Sequence, residues 1–464
     1  METMPKQTHS TTNNLTATQS DYAIYLPAIS GAYTSTLAAK KRKPSTMDTI
    51  DDLNFFRNDK DAVYTYDWGL YSAGHAQLDL TKNLKSEEMV HKRGSHTTLL
   101  ADSGGFQIGK GKWEGSWADP LCKKAEKKRG TLLNWLCNVS DYSMVLDIPS
   151  WTYTNPEVAD KVGIHSFQDA IKATCFNNDY FMQNKENDTK FLNVVQGNSH
   201  AEVFNWYNQV KHYPFSGWAF GGQSSRDLKI MLELVVHLIY DGLLEEGERD
   251  WIHVLGVGRV HWAVALTQMQ RLIRQTHNKN FTFSLDSASP FLSTVNASIY
   301  TDINTEDRAN WNLTTQRAID DKSLTNDPRN IADFYDNFLR NPVSDRIGIS
   351  DVCVRNHNYP TNSKTSWDTP SYILIMANNV WQQINAVQEA NRRIDAGANC
   401  KFLIDERFTK ISFNDVAEQV FDAKTKEDAL KIIDKHAIFL QNIPLSGQAK
   451  VSADTQFNSL FAVA

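Results

Sequence analysis

Six short apolar runs punctuate the middle of the chain, each closing on Gly, Asp or Gln. They are Thr98–Asp102, Tyr142–Asp147, Phe191–Gln196, Gly217–Gly221, Ile252–Gly256 and Phe281–Asp286. Each has strand length and is apolar at consecutive positions, which is how strands buried on both faces of a parallel sheet read. Between them, apolar residues recur at helical spacing. The spacing predicts helices over Pro156–Asn177, Ala201–Val210, Asp227–Leu244 and His261–His277. In the third of these, Leu228, Met231, Leu232, Val235, Leu238 and Ile239 form one apolar stripe. Strand followed by helix, repeated, predicts an α/β fold with a parallel sheet. Beyond Pro370, two longer helical patterns cover Tyr372–Ile394 and Asn414–Leu440.

Composition then sets the limits. The chain has 464 residues, 41% hydrophobic and 22% charged, enough apolar material for one large elaborated domain or two smaller ones. Residues 1–20 are rich in Thr, Asn, Gln and Ser and read as a disordered tail. The division that follows is residues 21–370 as a catalytic domain and 371–464 as a helical region completing or flanking it. No apolar run is long enough to cross a membrane, and the N-terminus has no apolar signal core. The five cysteines, Cys122, Cys137, Cys175, Cys353 and Cys400, are scattered and never form a CxxC pair. That pattern excludes a disulfide framework and points to a reducing cytoplasm. The net charge of −6 excludes a uniformly basic nucleic-acid coat. Local basic runs remain, at Lys40–Lys43 and at Lys123, Lys124, Lys127, Lys128 and Arg129. Either run is a phosphate-contacting patch or a solvated face.

The polar residues that end the apolar runs carry the chemistry. Asp102, Asp147, Gln196, the Gly221–Gly222 pair and Asp286 all fall where strands end. A single Asp there often caps the next helix. Several arriving at one sheet edge from different strands describe a site, because buried charge is unfavourable unless used or paired. Two carboxylates facing one glycosidic carbon divide the work of attack and proton transfer. A further Asp accepts from the N1–H and exocyclic amine of a guanine-like edge, and glycine amides donate to its carbonyl.

At these positions the sequence resembles the guanine transglycosylase family. Asp102-Ser-Gly-Gly-Phe-Gln107 resembles the family's DSGG(F/Y)Q signature, and Met144-Val-Leu-Asp147 with Pro149 resembles its next strand. Val195-Gln-Gly197, Gly221-Gly222, Leu255-Gly-Val-Gly258 and Leu285-Asp286 with Pro290 follow in the family's order, over about residues 95–295. The resemblance implies a (β/α)8 TIM-type barrel with insertions and a C-terminal helical extension. It implies Asp286 as the nucleophile on C1′ and Asp102 as general acid and base. Asp147, Gln196, Gly221 and Gly222 would bind the base, with Phe106 and Leu255 sandwiching its ring. Asp227 would stand near the substituent of a deazapurine.

Two departures redirect the substrate. The tRNA enzymes of the family follow the nucleophile with an arginine-rich run, where this chain has Ser287-Ala-Ser-Pro-Phe-Leu-Ser-Thr294. They also carry a CxCxxC…His zinc site, where this chain has only Cys353 and His357. No metal or other cofactor is therefore expected. The pattern resembles the phage and bacterial relatives that insert 7-deazaguanines such as preQ0 into DNA. The expected function is a pentosyltransferase that replaces guanine in DNA by a 7-deazaguanine. The alternatives are a zinc-free tRNA-guanine transglycosylase, an inactive barrel that binds nucleic acid, and a glycoside hydrolase, which explains neither DSGGFQ nor the glycine pair.

Overall fold

The computed structural model describes residues 12–305, 311–358, 363–405 and 410–443. Eight parallel strands close on themselves in sequence order. They are β1 (Ile24–Ile29), β2 (Trp68–Ser72), β3 (Thr98–Asp102), β4 (Tyr142–Met144), β5 (Lys190–Val195), β6 (Gly217–Phe220), β7 (Trp251–Val254) and β8 (Thr282–Ser287). Closure runs through β1 and β8, with Leu26 opposite Asp286. Helices alternate with the strands, so the fold is a (β/α)8 barrel with a helical C-terminal part. Apolar side chains such as Phe191, Ile252, Phe283 and Leu285, all fully or almost fully buried, fill the layer between strands and helices; Ile252, Phe283 and Leu285 lie on the strand faces opposite His253, Ser284 and Asp286.

The six apolar runs all become barrel strands, within a residue or two at most ends. Two strands, β1 and β2, carry no such signal. Pro27 lies inside β1 and has no N–H to give the ladder, and Gly69 interrupts the apolar positions of β2. The helix expected over Pro156–Asn177 is two helices, Pro156–Val162 and Phe167–Asn184. The first closes at Gly163, whose φ of +66° is the left-handed cap that glycine adopts readily. The pattern over Asn414–Leu440 divides into Phe413–Phe421, Lys426–Lys435 and Ala437–Asn442, because Thr425 caps the second helix and restarts the chain.

Residues 12–20 correct the expectation of a loose tail. Leu15 is fully buried, and its N–H donates to the Thr65 carbonyl at 3.0 Å. Gln388 donates to the Leu15 carbonyl at 2.8 Å and accepts from the Thr18 hydroxyl at 2.7 Å. The polar side chains that read as disorder are hydrogen-bonded to a barrel helix. Residues 1–11 of that tail, and 444–464 of the expected C-terminal region, lie outside the described residues.

After β8 comes a long insertion before the last barrel helix. It contains the short helix Ser289–Val295 and an antiparallel hairpin, β9 (Ser298–Asn304) with β10 (Asn312–Arg317). The helix Thr369–Asp395 then packs on Val260–Thr276 and on β1, in the place of the eighth helix. Its buried face carries amides. Asn379 donates to the Pro290 and Ser298 carbonyls and accepts from the Tyr300 N–H, while Gln383 donates to the Gly258 carbonyl at 3.0 Å. These bonds tie the insertion to the loops that follow β7 and β8.

Candidate active site

Asp102 ends β3 and the chain turns sharply behind it. Ser103 donates to the Val145 carbonyl at 3.0 Å, which pins the turn to the next strand. Gly105 then approaches Asp147 so closely that a Cβ there would lie 2.4 Å from the Asp147 carbonyl oxygen, so only glycine fits. The short helix Gly105–Gly109 leaves Phe106 substantially exposed, at 44%.

A cavity of about 230 Å³ opens beside this turn, over the C-terminal ends of β8, β1, β2 and β3. Asp102 and Asp286 both line it, as do Phe106 and Leu255. Its remaining wall is largely apolar, with Ile29, Leu70 and Phe291, and is interrupted by Ser72, His75 and Lys112.

The two carboxylates are held differently. Asp102 accepts from the Ser72 hydroxyl at 2.6 Å and from the Gly104 N–H at 3.2 Å. Burial nevertheless pushes its pKa above the usual carboxylate value, and the charge of Asp286 pushes the same way, against the Ser72 and Gly104 bonds and His75. Asp286 accepts from the Gly256 N–H at 2.7 Å through Oδ1, and the His253 Nε2 lies 3.3 Å from the same oxygen. His253 is fully buried and its Nε2 has no hydrogen bond. Its Nδ1 lies 2.8 Å from the Ser284 Oγ, which accepts from the Trp251 indole at 2.6 Å. In the tautomer in which Ser284 donates to Nδ1, the imidazole proton is on Nε2, on the side of the carboxylate.

Asp147 and Gln196 stand one and two strands beyond Asp102 and outside the cavity lining. Gln196 Nε2 donates to Asp147 Oδ2 at 2.8 Å. Burial raises the Asp147 pKa to about 7, helped by the nearby charge of Asp102 and opposed by the Gln196 bond. Gly222 follows on the next strand, opening the turn Gly222–Ser225. The strand-end residues Asp102, Asp147, Gln196, Gly222 and Asp286 thus share one rim of the barrel.

Three expected site residues have other work. The Gly221 N–H donates to the Val195 carbonyl at 2.9 Å, so it is not available to a base. Asp227 is the N-cap of the helix Leu228–Tyr240, accepting from the Lys229 and Ile230 N–H groups at 2.8 and 3.3 Å. Arg129 is only 4% exposed. Its guanidinium donates to the Asn177 side chain at 2.6 Å and lies over the Trp117 and Tyr180 rings, so it cannot meet a phosphate. In the same helix Lys123 pairs with Glu126 and Lys124 with Glu114, Lys127 is exposed, and the Lys128 ammonium lies 5.0 Å over the Trp113 ring. In the other basic run, Arg42 forms a two-pronged ion pair with Asp368, the cap of the eighth helix.

Cys353 and His357, the two residues that fall where the tRNA enzymes carry zinc, are held apart from such a role in different ways. Cys353 is buried with its thiol against the Ile319 carbonyl, burial raises its pKa, and His357 is exposed. Among the described residues no group of three His, Cys, Asp or Glu side chains gathers as a metal site would. No helix among them is long and apolar enough to cross a membrane.

Ser72, His75 and Lys112 were not singled out in the sequence, and His253 was not assigned to this site. His253 carried a usable signal. It is the one ionisable residue of a four-residue apolar strand, two positions before Leu255 and therefore on the same face.

No protein-family model matches the chain, and no curated protein matches it significantly in sequence.

Proposed function

We propose that the chain exchanges a purine base on DNA, as a guanine transglycosylase that removes guanine and inserts a 7-deazaguanine. The observation that carries the reading is the pair Asp102 and Asp286 lining one cavity, with the Asp147–Gln196 pair next along the rim.

The chemistry follows from how each group is held. Asp286 keeps Oδ1 on the Gly256 amide, which leaves Oδ2 to attack C1′ of the nucleotide. The C1′–N bond breaks, and guanine leaves with a proton from Asp102, whose raised pKa suits it to hold one. The product is an ester between Asp286 and the sugar. A 7-deazaguanine then enters the vacated slot, gives its ring N–H proton to Asp102, and takes the sugar back from Asp286. Two inversions at C1′ give net retention. Asp147 and Gln196 read the base edge, Gly222 offers backbone, and Phe106 and Leu255 cover its faces.

The test is exchange of labelled guanine, in parallel, into single-stranded DNA, duplex DNA and tRNA. Label in DNA that chases out with a 7-deazaguanine is the expected result. Label in tRNA alone overturns the DNA assignment, and label in neither overturns the activity.

A further inference from the structure

The loop that follows β3 carries more aromatic and basic surface than two carboxylates and a base slot require. Phe106 stands at the cavity mouth, and the half-buried Trp151 meets it edge-on, with centroids 5.7 Å apart and planes at 63°. The Lys110 ammonium lies 5.2 Å from the Phe106 centroid and 5.6 Å from that of Trp151. On the other flank of the turn Trp113 rests against Gly104, with the Lys128 ammonium over its ring. Lys112, between the two flanks, is exposed and lines the cavity itself. Glu114, the neighbouring acid, is paired with Lys124.

We propose that this aromatic and lysine rim is a docking platform for single-stranded DNA on either side of the base being exchanged. It rests on reading the cavity as a site of DNA base exchange. The argument is chemical. In the edge-to-face pair of Phe106 and Trp151 one ring meets its neighbour by its edge, and bases stack on ring faces, without regard to sequence, where a lysine side chain swings aside. Lysines set between those rings match the alternation of base and phosphate along a single strand. A base must also leave its stack to reach a strand-end cavity, and a strand already opened and held on the rim has done so. Trp113, Trp151, Lys110 and Lys112 would thus be specificity residues for an unpaired strand, apart from the groups that make and break bonds.

The probe is a labelled oligothymidylate of about twelve nucleotides, which has no guanine to exchange, read by fluorescence anisotropy against salt. Trp151→Leu should weaken its binding roughly five- to hundredfold, the range for losing one stacked base. Replacing Lys110, Lys112 and Lys128 together by Gln should lower the slope of log affinity against log salt by about 2, at ~0.7 per phosphate contact on a single strand. Thermal melting checks that each variant is folded, and the lysine variant carries the test alone if the tryptophan variant is not. Unchanged affinity and unchanged slope overturn the platform, as does oligouridylate binding the wild-type chain more tightly than oligothymidylate. The two readings fail separately. If wild type exchanges guanine in DNA but both variants bind oligothymidylate normally, the platform fails and the exchange stands. If both variants lose oligothymidylate but no guanine is exchanged, the exchange fails and the platform stands.

Discussion

Binding of a guanine-like base should weaken steeply as pH falls below about 7, and Asp147 should be the cause. Its carboxyl is raised from the usual 3.8 to about 7 because burial penalises the charge and Asp102 adds to it. A carboxylate accepts from both N1–H and the exocyclic amine of guanine, whereas the protonated acid has lost one acceptor and points a donor at a donor. If only the ionised form binds, the apparent Kd scales as 1 + 10^(pKa − pH). Affinity then drops about tenfold from pH 8 to pH 6, and about a hundredfold by pH 5. The sign for stability is the reverse of the usual Asp case. With its folded pKa raised, Asp147 favours the folded chain fully below the unfolded value. That contribution is lost as pH rises towards about 7, by up to ~4 kcal/mol at 1.36 kcal/mol per unit. Asp147→Asn should therefore flatten the pH dependence of base binding while stabilising the free protein above neutrality. The assay is calorimetric titration of a 7-deazaguanine base into the protein at about pH 5, 6 and 8, in two buffers of different ionisation enthalpy. Near pH 6 about one proton should be released per base bound. Affinity that stays flat across this range in wild type, or stays equally steep in Asp147→Asn, refutes the assignment.

Other expectations are direct. Asp286→Ala and Asp286→Asn should each lower exchange at least about 10³-fold and abolish the sugar–protein adduct seen by mass spectrometry, since the nucleophile has no substitute; near wild-type exchange in either removes Asp286 from that role. His253→Phe should lower kcat roughly ten- to hundredfold with KM little changed, by removing the ring nitrogen that lies 3.3 Å from Asp286, and His253→Gln should recover part of the loss; an unaltered kcat in the Phe variant means that the contact is idle. Arg129→Ala should destabilise the chain by about 2–4 kcal/mol in urea titrations, because its packing and the Asn177 bond are lost, while leaving DNA affinity unchanged; the opposite pattern places the guanidinium on the surface.

What could be read from the sequence follows from what each signal measures. Strands β3 to β8 were legible because a strand buried on both faces is apolar throughout and ends abruptly on polar residues, as Phe281–Asp286 does. Pro27 in β1 and Gly69 in β2 interrupt that pattern. Asp102 and Asp286 stood out by motif, but their partners did not. Ser72 meets Asp102 because β2 and β3 pair with those two residues in register, and His253 reaches Asp286 across the β7–β8 ladder. Register is a property of the closed barrel, so no local spacing announces it. Asp227 shows the converse, since a capping Asp and a ligand-facing Asp look alike until the helix behind them is seen. Arg129 was readable. Helical spacing places it with Ala125, Leu132, Leu133 and Leu136, the buried face of its helix, and only its membership of a run of lysines suggested solvent.

The three carboxylates along the rim are coupled, and that coupling gives the proposed reaction its order. The charge of Asp286 raises the pKa of Asp102, and that of Asp102 raises the pKa of Asp147. When Asp286 attacks C1′ it becomes an ester and its charge disappears. One of the forces keeping the proton on Asp102 disappears with it, so Asp102 becomes a stronger acid as the departing guanine becomes a stronger base. When the ester is cleaved, the returning charge on Asp286 makes Asp102 a better proton acceptor for the entering base. Proton transfer is thereby timed by the covalent bond with no moving part. Asp286→Asn mimics the neutral state in the resting protein, and it should lower the titration midpoint of Asp102. The measurement is carboxyl-carbon NMR on protein labelled at aspartate, with Asp102→Asn identifying the signal. A midpoint that does not move when the Asp286 charge is removed shows that the two groups titrate independently, and the timing would then need another source.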